Sequence, residues 1–191
     1  MLNILFIGNS FTFVNDLPAM LTTIAADAGV EIAASSVLKG GAYLHQFADP
    51  EHELGRRLAE TYPTKKWDFI VLQDQSFNPV GNYEDFLAGA KALRDLFQPE
   101  RLLLYQTWAY EDGTEKLEET GLSYDGMHLA LKAAYTRAAE DLGAEVVPVG
   151  DRFARYHREH PEIRLYKEDH FHPSEEGTRL AAEEFFRAIM D

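Results

Sequence analysis

A chain of 191 residues, 46% of them hydrophobic, is long enough for one substantial core and short for two. Its 32 acidic side chains against 18 Lys and Arg leave a formal net charge of −14, which argues against nucleic acid as a partner, because phosphate backbones are bound through excess cations. The lack of cysteine excludes disulfides, thiolate metal sites and a cysteine nucleophile.

No linker-like tract or repeat divides the chain, so a single domain over residues 1–191 is expected. The N-terminus has no basic region or small-residue cleavage site, and its apolar run ends at Ile7, which reads as a strand and not as a signal peptide. Nothing approaches the length of a membrane span. The expectation is therefore a cytoplasmic protein that engages neither membrane nor nucleic acid; its oligomeric state is not encoded in any recognisable pattern.

In chain order, apolar runs of strand type alternate with helical periodicity. A strand over 2–7 is followed by a helix over Leu17–Ala28, a strand over Glu31–Leu38 and a helix over Pro50–Thr61. Then come a strand over Phe69–Gln73, a helix over Tyr83–Phe97 and a strand over Arg101–Thr107. A helix over Tyr124–Leu142, a strand over Glu145–Val149 and a helix over Ser174–Met190 complete the pattern. Five strands separated by helices predict an α/β fold, a parallel sheet covered on both faces. From that class the strand order is inferred to be 2-1-3-4-5, with its topological switch between the first and third strands.

In such sheets ligands bind at the carboxyl rim of the strands. The first strand ends in Gly8-Asn9-Ser10; taken alone, Asn9 and Ser10 read most simply as a turn and a helix cap. The second runs into Lys39-Gly40-Gly41-Ala42, where paired glycines permit positive φ and expose backbone N–H groups. The third delivers Gln73-Asp74-Gln75-Ser76 from a buried run. Together they offer a hydroxyl and several neutral donors, a combination suited to acyl transfer, in which a tetrahedral oxyanion needs preorganised N–H groups. The backbone N–H of Ser10, that of Gly41 and the Gln75 amide could form such a hole.

A serine nucleophile needs a base, usually a histidine oriented by a carboxylate. The pattern Asp-x-x-His occurs three times, at Asp49/His52, Asp125/His128 and Asp169/His172. The first two read as exposed residues at helix ends. The third is preferred, because Pro173 and the acidic pair Glu175-Glu176 fit the first turn of the last helix and would hold His172 on a rigid entrance.

With these residues in view, the chain resembles the SGNH (GDSL-like) hydrolases. Ile7-Gly8-Asn9-Ser10-Phe11-Thr12 is similar to the nucleophile block and Gly40-Gly41 to the glycine block. Gln73-Asp74-Gln75-Ser76 is similar to the amide block and Asp169-x-x-His172-Pro173 to the terminal block. All four stand in family order. The resemblance implies a flavodoxin-like three-layer sandwich, a Ser10-His172-Asp169 triad, an oxyanion hole from Ser10, Gly41 and Gln75, and no cofactor.

Two departures stand out. The family's Gly-Asp-Ser is Gly-Asn-Ser here, and its Gly-x-Asn-Asp is replaced by Gln73-Asp74-Gln75-Ser76, so that Gln73 competes with Gln75 for the oxyanion or for substrate. Glutamine in this block resembles carbohydrate-type acetylesterases, which implies small acyl esters, acetyl groups on carbohydrates above all. No Gly-x-Ser-x-Gly is present, which separates the chain from nucleophile-elbow hydrolases.

The rim segment Tyr105–Tyr110 brings Trp108 and Tyr110 as candidate substrate-binding aromatics, although core packing explains them too. The long acidic stretch from Glu111 to Tyr124 is a candidate lid or binding loop. The competing readings are a non-catalytic flavodoxin-like small-molecule binding domain and a metal site built on Asp169, His170 and His172, for which no other His-rich segment completes a shell. Residues 8–13 lack the glycine density of a phosphate loop. No wide apolar surface helix marks a lipid interface.

Overall fold

A computed structural model describes residues 1–62 and 66–191. The elements run β1 (Leu2–Gly8), α1 (Ser10–Phe13), α2 (Leu17–Asp27), β2 (Ile32–Leu38), α3 (Leu44–Ala48), α4 (Glu53–Thr61), β3 (Phe69–Leu72) and α5 (Asn78–Gly81). They continue with α6 (Tyr83–Phe97), β4 (Arg101–Tyr105), α7 (Glu115–Glu118), α8 (Tyr124–Leu142), β5 (Glu145–Val147), α9 (Val149–Glu159) and α10 (Glu175–Met190).

The five strands form one parallel sheet in the order β2-β1-β3-β4-β5, as expected from the alternation of strands and helices. The apolar runs of β1, β3 and β4 occupy the interior positions, where a strand is covered on both faces and has no polar side to present. Ala33, Ala34, Ser35 and Ser36 of β2 are only partly covered, in keeping with its place at one edge. Gly8 pairs with Leu38, Ile7 with Leu72 and Leu72 with Leu104, so the chain leaves β1, β2, β3 and β4 along one rim. No described helix is long and apolar enough to cross a membrane.

Three expectations are corrected. The fifth strand ends at Val147 and is followed by α9, whose buried Val149, Phe153 and Ala154 form an i, i+4, i+5 stripe. The helix expected from Pro50 starts at Glu53, because His52 acts as its N-cap, accepting the Leu54 N–H on Nδ1 at 3.2 Å. Pro173 lies outside the last helix: Ser174 is the N-cap, accepting from Gly177 N at 3.1 Å, and Pro173 instead forms an antiparallel bridge with Tyr166. Within 111–124 the chain is partly helical, with Thr114 capping α7 and Leu117 buried.

Candidate active site

Gly8 ends β1 directly against β3. A Cβ there would stand 2.8 Å from Gln73 Oε1 and 2.9 Å from Gln73 O, so only glycine allows the Gln73 side chain to cross beneath the turn. Gln73 is fully buried and entirely committed: Oε1 accepts from Asn9 N at 2.9 Å and from Thr12 Oγ1 at 3.0 Å, while Nε2 donates to Asn9 Oδ1 at 2.8 Å and to the Asp74 carbonyl. Asn9 completes the knot, accepting from Phe11 N at 3.2 Å and donating from Nδ2 to the Ala42 carbonyl at 3.0 Å. The start of α1 is thereby tied both to β3 and to the loop after β2.

This knot leaves one donor over. The N–H groups of Asn9, Phe11, Thr12 and Phe13 all have acceptors at the helix start, whereas that of Ser10 has none among the described residues. Gly41, at φ +69°, likewise has an N–H without an acceptor among the described residues, and no atom lies within 4 Å of where its Cβ would be. Asp74 pins the same loop from the β3 side: its Oδ1 accepts from Leu44 N at 2.9 Å and from Gln75 N at 2.8 Å, and its Oδ2 from Asn78 Nδ2 at 2.8 Å. Burial pushes the Asp74 carboxyl above its ordinary range, opposed by those hydrogen bonds.

The Ser10 hydroxyl meets the far end of the chain. His172 Nε2 lies 2.7 Å from Ser10 Oγ, and His172 Nδ1 lies 2.7 Å from Asp169 Oδ2. A carboxylate only accepts, so Nδ1 carries the hydrogen and Nε2 of the neutral ring is the acceptor facing the serine. Asp169 Oδ1 accepts from His172 N at 3.0 Å and Phe171 N at 3.2 Å. Partial burial would raise the Asp169 carboxyl, but the bonds from His172 and Phe171 outweigh it and hold the group below its ordinary range. Two clamps set this loop. Asn15 Nδ2, just after α1, donates to the Pro173 carbonyl at 3.0 Å and to Thr178 Oγ1 at 2.9 Å. On the other side His170, at φ +67°, pairs through Nδ1 with Glu111 Oε2 at 2.6 Å, and Glu111 N donates to the His170 carbonyl.

No family model and no curated protein matches the chain. Among solved structures, a protein from Slackia heliotrinireducens described as a candidate SGNH hydrolase is 30% identical, with 98% of each chain covered and a TM-score of 0.84. The chain belongs to the SGNH hydrolase superfamily. A DUF4886 family protein from Bacteroides uniformis (20% identical, 98% of this chain and 82% of the other, TM-score 0.80) shares the fold. So does an acetyl xylan esterase, AlAXEase (17% identical, 98% of this chain and all of the other, TM-score 0.74).

In this SGNH hydrolase the other expected site residues are placed differently from one another. Gln75 is half-buried; its Oε1 accepts from Phe77 N at 3.0 Å and Asn78 N at 3.2 Å, while its Nε2 donates to Ser76 Oγ at 3.2 Å and also bonds the Tyr110 hydroxyl. Gln73 is removed as a substrate or oxyanion ligand, since it is sealed in the knot with Asn9. Trp108 is removed as a stacking platform, because it is wholly buried between Phe11 (4.6 Å, 2°) and Phe153 (4.1 Å, 5°), with its indole N–H on the Phe171 carbonyl at 3.0 Å. Tyr110 is 3% exposed, and its hydroxyl lies 2.6 Å from Ser76 Oγ; with Gln75 and Phe77 it borders a small cleft.

The other Asp-x-x-His segments do not form such pairs. His52 and Asp49 spend their side chains on local caps, accepting from Leu54 N and Glu51 N. His128 faces Asp151 of α9, with Nε2 3.4 Å from Oδ1, and not Asp125. No group of three or more metal-competent side chains occurs among the described residues.

Three residues escaped the sequence reading. Phe13 and Asn15 lie in the unassigned segment between the first strand and the helix expected from Leu17, and Asp74 was read only as part of a polar cluster. Phe13 is 44% exposed on the helix that carries Ser10, and its ring tip lies 3.8 Å from where a Gly40 Cβ would be. The signal was available: Phe13 stands three residues after the serine, one turn along the same short helix.

Proposed function

We propose that this protein is a serine esterase that hydrolyses small acyl esters, acetyl esters of carbohydrates or related alcohols in the first place, through a Ser10-His172-Asp169 triad. The observation that carries the reading is the unbroken hydrogen-bond line from Ser10 Oγ through His172 to Asp169, with two links of 2.7 Å. In this reading His172 Nε2 takes the Ser10 proton as Oγ attacks the ester carbonyl. The oxyanion that forms accepts from the N–H groups of Ser10 and Gly41 and from the Gln75 amide, which turns from Ser76 and Tyr110 to reach it. As the intermediate collapses, His172 returns the proton to the departing alcohol and leaves an acyl group on Ser10. Water, deprotonated by the same Nε2, attacks that acyl carbon, and the second collapse releases the acid and restores the Ser10 hydroxyl. Asp169 keeps the imidazole in the tautomer that begins the cycle.

The carbohydrate side draws support from the fold neighbours named acetyl xylan esterase and acetyl-xylooligosaccharide esterase, and from the exposed ring of Phe13, an apolar face of the kind that sugars stack on. The test is turnover of p-nitrophenyl acetate and of acetylated xylo-oligosaccharides by wild type and Ser10→Ala. The expected result is a loss on the order of 10³-fold or more in the variant. Equal turnover by both proteins would reject the mechanism in favour of a binding role for the fold.

A further inference from the structure

The loop that carries Gly41 borders a cleft of about 350 Å³ whose walls include Lys39, Gly40, Gly41, His52, Glu53 and Arg57. The glycine wall of the cleft is tied to the segment that carries Ser10: the Asn9 side chain donates to the Ala42 carbonyl, and the Phe13 ring tip lies 3.8 Å from where a Gly40 Cβ would be. An ester whose carbonyl rests against Gly41 can therefore extend its alcohol part into this space.

The charge in the cleft runs against that of the molecule. The chain carries a net −14 and its cations commonly pair with carboxylates, as Arg101 does with Glu145, Lys132 with Asp151 and Arg179 with Glu176. Lys39 and Arg57 form no ion pair among the described residues. Glu53 stands four residues before Arg57 on α4, a spacing at which such pairs normally close, yet the two do not pair. His52 accepts the Leu54 N–H on Nδ1, so its neutral ring carries the hydrogen on Nε2 and is a further donor. Two unpaired cations and a ring N–H against a single carboxylate make a site that attracts negative charge.

We propose that this cleft receives an anionic group, carboxylate or phosphate, on the alcohol part of the ester, so that the substrate class is an acylated acidic sugar or similar anionic alcohol. The inference rests on the esterase reading for the placement of the ester, while the cleft's affinity for an anion does not.

The experiment compares kcat/KM for 4-acetoxybenzoate, 4-acetoxyphenyl phosphate and the neutral 4-acetoxybenzamide, each corrected for its spontaneous hydrolysis, in wild type and in the Lys39→Gln/Arg57→Gln double variant. At low ionic strength wild type should prefer an anionic ester by about tenfold, the double variant should lose that preference, and about 0.5 M salt should suppress it in wild type. Which anion gains more separates carboxylate from phosphate. Arg57→Glu should shift the preference toward 4-(trimethylammonio)phenyl acetate, which a purely structural arginine would not do. A ratio at or below one in wild type, or one that neither substitution nor salt changes, overturns the proposal. If no ester is turned over, the esterase reading fails separately, and calorimetry with benzoate and inorganic phosphate decides the cleft. Binding by wild type that the double variant loses supports it; equal binding by both, or by neither, rejects it.

Discussion

Asn9, buried beside the proposed nucleophile, ties three segments of the chain together. Its side chain donates to Ala42 O and accepts from Phe11 N and Gln73 Nε2, so one amide fixes the serine helix, the glycine loop and β3 together. Aspartate, which the resembling family usually carries here, has no donor for the Ala42 carbonyl and would set two oxygens against each other at 3% exposure. Asn9→Asp should therefore cost about 1–3 kcal/mol in urea denaturation and lower kcat, despite restoring the family's motif. At the other end of the proposed triad, Asp169→Asn should reduce kcat on the order of 10³- to 10⁴-fold with little change in KM, measured on an acetyl ester, because an amide N–H facing Nδ1 reverses the imidazole tautomer. The carboxyl of Asp169 is held below its ordinary range by the His172 and Phe171 bonds. Its contribution to stability is thus complete above the unfolded value near 3.8 and is lost as pH falls through the lower folded value. Acid denaturation below about pH 4 should be less steep in Asp169→Asn than in wild type.

Between elements, the decisive contact is the crossing of β1 and β3 at Gly8 and Gln73. Gly8→Ala drives a methyl group to within 3 Å of Gln73 backbone and side chain, and neither can retreat without breaking the bonds to Asn9. The expected cost is about 1–3 kcal/mol, read by thermal or urea unfolding, with a loss of kcat larger than the stability change explains. The same crossing explains why Gln73 and Gln75 were inseparable in the sequence. Both are amides two residues apart, and only the register of β1 on β3 shows that the first lies beneath Gly8 while the second emerges at the rim. Trp108 was left between a substrate platform and core packing for a related reason. Its partner Phe153 belongs to α9, whose apolar stripe begins inside what reads as the end of a fifth strand, so it takes that helix to decide for the core. The strands themselves were legible because a doubly covered strand has no polar face, and the register of β1 on β2 and β3 then brings three chain exits together.

Across the whole molecule, Ser10 and His172 lie 162 residues apart, joined by the wrapping of α10 against α2 and by the Asn15 clamp onto Pro173 and Thr178. The order of the motifs along the chain was readable from the sequence, and the meeting of Ser10 with His172 was expected through the family resemblance; the Asn15 clamp that holds it was not, since it depends on how the first and last segments pack. The central claim is that Ser10, activated by His172, is the nucleophile. Its most direct test is labelling with a fluorophosphonate, followed by intact-mass measurement and peptide mapping. A single adduct on the Ser10 peptide, absent in Ser10→Ala and at least about 10³-fold slower in His172→Ala, is the predicted result. An adduct on another residue, or labelling of Ser10 at an unchanged rate without His172, would contradict it.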